Sequence, residues 1–271
     1  SIMIVYRLKE RYPMLQTKIV FFDIDGTLID MQAKKITPKM LETLHRLQDR
    51  GIKICIATGR SPMVLPKIDG VAFDAYLTFN GSLCYDRKGV IFSNPIPHKD
   101  VVRFIQNAAA LGRPVCVSTR DRLAANGADT DLTDYFFIAN EPVPVADDFD
   151  AVCAEDIYQL MLGCRPKDYP ALLDGAPGAK IAAWWDRAVD VIPAGGGKGI
   201  GIEKMLAYYG LDKGEALAFG DGNNDREMLQ AVGTGVAMEN GSPELKAIAD
   251  EICGPVYEDG IYHYCADKGL I

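Results

Sequence analysis

The chain has 271 residues, 48% hydrophobic and 24% charged, which is ordinary for a soluble globular protein and long enough for about two domains with a sizeable core. Lys and Arg total 29 against 37 Asp and Glu, a net charge of −8 with no dense basic cluster, so nucleic acid is set aside as a partner. No apolar run approaches the roughly 18 residues of a membrane span, and the N-terminus lacks the apolar region of a signal peptide; a cytoplasmic protein with no membrane contact is expected.

Seven cysteines, at 55, 84, 116, 153, 164, 253 and 265, form an odd set with no C-x-x-C pair. That suits reduced thiols packed as small core residues better than a disulfide framework or a zinc site. The opening SIMIVYRLKERYP has no initiator Met, and residues before Met14 read as a remnant or a short extension without identifiable chemistry. Asn80-Gly81-Ser82 and Asn240-Gly241-Ser242 match the glycosylation sequon, but both read as turns.

KIVFF, residues 18 to 22, reads as a short strand buried on both faces, closed by a turn at Asp25-Gly26. Asp23 and Asp25 thus place two like charges where a buried strand ends. Alone, Asp-x-Asp-Gly is turn chemistry. Thr37-Pro38 caps a helix carrying Met40, Leu41, Leu44 and Leu47 and stopped by Gly51. Strands follow at 52 to 57 and 75 to 79, the pattern of a parallel sheet with right-handed crossovers. The pattern resumes with a helix from Lys198 to about Tyr209, a strand at 216 to 221, a helix from Asp225 to Ala231, the strand TGVAM and a helix capped by Ser242-Pro243.

Between Leu83 and Val189 the character changes. Strand-like runs at 90 to 92, 115 to 117, 135 to 138, 157 to 162 and 181 to 185 alternate with helical segments near 99 to 111 and 167 to 173. They are too many to join one sheet, so an inserted α+β domain is expected at 83–189, with the core in 1–82 and 190–271.

Ligands of an open parallel sheet bind beyond the carboxyl ends of its strands. Three strand ends here carry polar signatures: Asp23-x-Asp25, Ala57-Thr58-Gly59-Arg60, and Gly220-Asp221-Gly222-Asn223-Asn224-Asp225. Lys198, in GGGKG, opens a helix. Together they suit phosphate chemistry with magnesium, since Mg²⁺ takes one or two carboxylates with waters and substrate phosphate, and Asp23 and Asp221 supply the carboxylates. GGGKG fails as a nucleotide loop, because Ile192 stands where its first glycine belongs and Gly199 follows the lysine. GDGNND lacks the spacing of a calcium loop.

The ordered set DIDGTL, ATGR, FNGS, KG, GDGNND and EDGIYHY resembles the haloacid dehalogenase-like (HAD) hydrolase superfamily, and within it the Cof-type phosphatases of subclass IIB. The resemblance covers nearly the whole chain except the insert, which matches the family's cap domain only in position and mixed composition. It implies a Rossmann-like doubly wound α/β core with an inserted cap, and Mg²⁺-dependent hydrolysis of small phosphate monoesters, foremost sugar phosphates. Asp23 would be the nucleophile. Asp25 would be general acid and then base, with its backbone carbonyl on Mg²⁺ beside Asp23 and Asp221. Thr58, Gly59, Lys198 and Asn224 would hold the phosphate, and Asp225 would orient Lys198 or a metal-bound water. For Asp225 the alternative is a helix N-terminal carboxylate. The expected partner is a small phosphorylated metabolite, and the protein a monomer or small homo-oligomer.

Two other readings stay open: a phosphotransferase of the phosphomannomutase kind, and a non-catalytic phosphate-binding regulatory module. His45, His98 and His263 are assigned no catalytic role. Of Trp184 and Trp185, strand alternation would let at most one face a substrate, and packing inside the insert is the readier role for both.

Overall fold

The computed structural model describes residues 16–183 and 185–271. The segment before Met14 and the ring of Trp184 therefore lie outside the described residues. In chain order the first part contains β1 (Ile19–Phe22), α1 (Pro38–Asp49), β2 (Lys53–Ala57), β3 (Ala75–Thr78), β4 (Leu83–Asp86) and β5 (Gly89–Ser93). The middle contains α2 (His98–Ala110), β6 (Cys116–Ser118), β7 (Leu123–Ala125), α3 (Thr130–Phe137), α4 (Phe149–Val152), β8 (Gln159–Gly163), α5 (Tyr169–Leu173), β9 (Ala179–Ala182) and β10 (Ala188–Pro193). The last part contains α6 (Lys198–Tyr209), β11 (Ala216–Gly220), α7 (Arg226–Gln230), β12 (Thr234–Met238), α8 (Pro243–Ile248), β13 (Glu251–Cys253) and α9 (Gly260–Asp267).

The large sheet runs β13-β12-β11-β1-β2-β3-β4-β5, parallel from β13 to β3 and closed by the antiparallel hairpin β4–β5. Its strands alternate between two cores. Val20, Phe22, Ile54, Ile56 and Phe219 pack on α1 and α9, while Ile19, Phe21, Cys55, Ala57 and Ala218 pack on α6 and α7. Both faces are covered, which is why these strands read as unbroken apolar runs. Thr37 and Ser242 cap α1 and α8 as their sequences require, each accepting a backbone N–H three residues on.

The small sheet, β7-β6-β8-β10-β9, is antiparallel throughout. One of its faces is buried under α2, α4 and α5 through Val117, Leu160, Leu162, Val189 and Val191. Sheet membership departs from the expected boundary at 82 and 83. Thr78 pairs with Leu83 across a tight reversal, so β4 and β5 extend the large sheet, and the small sheet holds β10 through Pro193. The run at 135 to 138, expected as a strand, lies at the end of α3. Asp129 accepts the Leu132 N–H at 2.8 Å and starts a helix there, overriding the β preference of the aromatic residues.

All seven cysteines are buried free thiols. Among the described residues no helix is long and apolar enough to cross a membrane.

Candidate active site

The chain leaves β1 outward to β2 on one side, and β11 returns on the other, so the sheet's topological switch lies between β1 and β11. Asp23 extends that pair by one residue, its N–H donating to Phe219 O at 3.0 Å. Ile24 turns into the core, while Asp23 and Asp25 line a cleft of about 590 Å³ at the carboxyl edge. The cleft's wall also includes Thr58, Gly59, Arg60, Asn80, Asp221 and Asn224. The three histidines are not part of it.

Gly26 lets the strand ends approach. Its φ is +84°, and a Cβ there would lie 2.2 Å from Asp221 Oδ2. Thr27 Oγ1 donates to Asp221 Oδ1 at 3.0 Å, and Asn240 Nδ2 donates to the Gly26 carbonyl at 2.8 Å.

Lys198, the first residue of α6, is 1% exposed. Its Nζ donates to Asp23 Oδ1 at 2.7 Å and to Asp225 Oδ1 at 2.5 Å. The other oxygen of Asp225 accepts the N–H groups of Asp221 and Gly222, both at 3.0 Å, and so fixes the loop that carries Asp221. Oxygens of Asp23, Asp221 and Asp225 converge within 4.8 Å, a grouping that can hold a metal ion. Three carboxylates face one ammonium. Burial first, then repulsion from Asp225, pushes Asp23 well above the usual carboxylate range and Asp221 up to about 6. Burial alone would lower Lys198, but Asp225 and Asp23 outweigh it and hold the lysine above its ordinary value. The cluster thus has hard oxygen donors and a shortage of positive charge, which fits a hard divalent cation.

Asp25 has a different setting. Arg60 grips its carboxylate in a fork, Nε to Oδ2 at 2.8 Å and Nη2 to Oδ1 at 2.6 Å, and anchors itself through Nη1 on the Val64 carbonyl. The structure therefore brings Asp225, not the side chain of Asp25, next to Asp23 and Asp221. Thr58 follows β2 directly, and its Oγ1 accepts the Arg60 N–H at 3.1 Å. Gly59 packs against the Asn80 amide, whose atoms would be 3.1 Å from a Cβ.

Asn80 Oδ1 accepts Asn224 Nδ2 at 3.1 Å. It is placed by three successive left-handed residues, Phe79, Asn80 and Gly81, with φ of 49°, 53° and 93°. For a buried phenylalanine this is strained backbone, of the kind retained at functional sites. Hydrogen bonds from Phe79 N to Arg60 O and from Asn80 N to Thr58 O tie this turn to the loop after β2. Arg60 and Asn80, inside the ATGR and FNGS motifs, also line the cleft, although nothing in the sequence alone assigns either a role. Trp185 does not sit in a strand; its ring lies 4.9 Å from the Arg187 guanidinium.

Residues 20–265 match the family model of haloacid dehalogenase-like hydrolases. The chain belongs to that family. Within this HAD superfamily it is a Cof-type member and a phosphoric monoester hydrolase, in keeping with its relatives. The Bacillus subtilis protein YkrA is 35% identical over 259 residues, covering 95% of this chain and all of that one. A HAD phosphatase from Bacteroides thetaiotaomicron superposes with a TM-score of 0.88 at 30% identity, over 96% of this chain and 98% of the other. A HAD subclass IIB sugar phosphatase gives 0.80 at 28% identity, over 94% and 100%. The HAD core with its cap accounts for the two sheets described above.

Proposed function

We propose that the protein is a Mg²⁺-dependent cytoplasmic phosphatase that hydrolyses small phosphate monoesters, phosphorylated sugars among them, through an aspartyl phosphate on Asp23. The observation that supports this most is the convergence of Asp23, Asp221 and Asp225 on one another, with a buried lysine held between Asp23 and Asp225, beside a cleft that Asp23 and Asp221 line and that is large enough for a metabolite.

Asp23 attacks phosphorus with the oxygen that Lys198 does not hold, and the leaving alkoxide departs opposite it. Lys198 keeps the nucleophile oriented and neutralises charge on the transferring group. Thr58 Oγ1, the Gly59 N–H and the Asn224 amide hold phosphoryl oxygens. Asp25 gives its proton to the leaving oxygen, then takes one from the water that releases phosphate from Asp23. For that exchange one of the two Arg60 hydrogen bonds must open. Asp225 acts through others, holding Lys198 and the Asp221 loop. Asp23, Asp221 and the backbone carbonyl of Asp25 would hold Mg²⁺, with Asp225 behind them, and the ion would supply the missing positive charge next to the phosphate.

The test is a screen of several dozen phosphorylated metabolites for released phosphate, with Mg²⁺ and with EDTA, and without any acceptor sugar. Multiple turnover that needs Mg²⁺ is expected. No release from any ester in the presence of Mg²⁺ would sink the proposal, and turnover only with an acceptor would make the protein a phosphotransferase.

A further inference from the structure

The cleft above Asp23 continues past Gly59, Arg60 and Asp190 into a second chamber of about 510 Å³. Alternation in the small sheet makes this chamber. Leu160, Leu162, Val189 and Val191 face the helices, so Gln159, Met161 and Asp190 face the other way. The register sets Asp190 opposite Met161, and Ser118 opposite both Gln159 and Leu123. Helix α3 covers part of this face through Leu132 and Phe136, and the remainder roofs the chamber.

The walls are chiefly apolar: Leu123, Phe136 and Met161 from the cap side, Val64 and Phe79 from the core side. Phe79 is held rigidly, in its left-handed conformation and stacked 5.2 Å from Tyr158. Ser118, Gln159 and Glu141 add polar groups to the chamber itself, and Arg60 and Asp190 stand at its junction with the phosphate cleft. There Asp190 lines both spaces, and its Oδ1 accepts the Tyr135 hydroxyl at 2.6 Å, which fixes the carboxylate. A bare sugar phosphate would either leave this chamber to water or press hydroxyls against its apolar walls.

Building on the phosphatase reading, we infer that the leaving group is a primary alcohol carrying a planar, largely apolar ring, which fills the chamber while a donor on it faces Asp190. Phosphate lies over Asp23 and the linking alcohol crosses between Arg60 and Asp190. Asp190 and the apolar walls then select the substrate, whereas the residues around Asp23 act on the phosphate common to all esters.

The experiment compares 2-naphthylmethyl phosphate and its 3-aminomethyl derivative, whose ammonium lies beside the linking alcohol, with glucose 6-phosphate, with Mg²⁺ present. All three are esters of primary alcohols, so differences report the ring more than the leaving-group chemistry. Wild-type protein should favour the naphthyl ester by at least about 10-fold in kcat/KM, mostly through KM. Val64→Glu, at an exposed turn where folding is not at risk, and Met161→Glu should each pull that ratio toward one. Asp190→Asn should cost the aminomethyl ester about 10-fold or more relative to the unsubstituted one. Equal or better use of glucose 6-phosphate by wild type, or a ratio unmoved by Val64→Glu, would overturn the inference. An aminomethyl ester indifferent to Asp190→Asn would remove the role given to that residue. No release from any ester, p-nitrophenyl phosphate included, would instead bring down the phosphatase reading and this inference with it.

Discussion

Asp225→Asn is the smallest change that exposes how the charged cluster is held. Asp225 is fully buried and makes three hydrogen bonds, with Lys198 on one oxygen and two backbone N–H groups on the other. An amide has one acceptor oxygen. If that oxygen faces Lys198, the amide NH₂ confronts the N–H groups of Asp221 and Gly222; if it is flipped, the NH₂ confronts the ammonium. One arrangement forfeits a hydrogen bond to a charged group, worth about 1.5–3 kcal/mol, and the other leaves two buried donors unmet at about 1–3 kcal/mol each. Relief of repulsion on Asp23 and Asp221 offsets part of this, so a net loss of about 2–4 kcal/mol is expected. Urea unfolding of the metal-free protein, followed by circular dichroism, measures it through the midpoint and slope. A change below about 1 kcal/mol would mean that the three hydrogen bonds of Asp225 do not hold the cluster together.

Asp23→Asn should behave oppositely, with turnover falling by at least about 10⁴-fold while metal-free stability holds or rises, because burial and Asp225 oppose the Asp23 charge; steady-state kinetics and urea unfolding on one preparation check both. Gly26→Ala should raise the Mg²⁺ concentration for half-maximal activity about 10-fold or more, since its Cβ would displace Asp221; a metal titration of activity reads this directly. Native Asp221 keeps its proton to about pH 6, whereas the unfolded chain releases it near the ordinary 3.8. Unfolding therefore releases protons in that interval, and stability of the metal-free protein should fall as pH rises through it, as urea midpoints across the range would show.

Most of the core could be read from the chain because its strands are covered on both faces and its helices carry explicit starts at Thr37 and Ser242. Asp23, Lys198, Asp221 and Asp225 announced themselves as polar residues where apolar strands end or a helix begins. The hairpin β4–β5 did not, since local pattern says that a strand exists and not which sheet it joins. The run at 135 to 138 read as a strand because the deciding cue, Asp129, lies six residues before Tyr135 and acts only as a cap. Arg60 and Asn80 escaped because their roles are pairings: one needs the carboxylate of Asp25 within reach, the other a left-handed turn that an Asn-Gly dipeptide permits but does not aim. Asp190 depends on the register of a second sheet, which no motif encodes.

In the proposed mechanism Asp23 carries the phosphoryl group. Asp25→Asn with p-nitrophenyl phosphate, whose leaving group needs little protonation, should still phosphorylate Asp23 while the water step is slowed. Rapid acid quench should then trap one phosphate per chain, and mass mapping should place it on Asp23 in the peptide containing FFDI. Continued turnover with no covalent phosphate, or phosphate on another residue, would show that Asp23 is not the nucleophile.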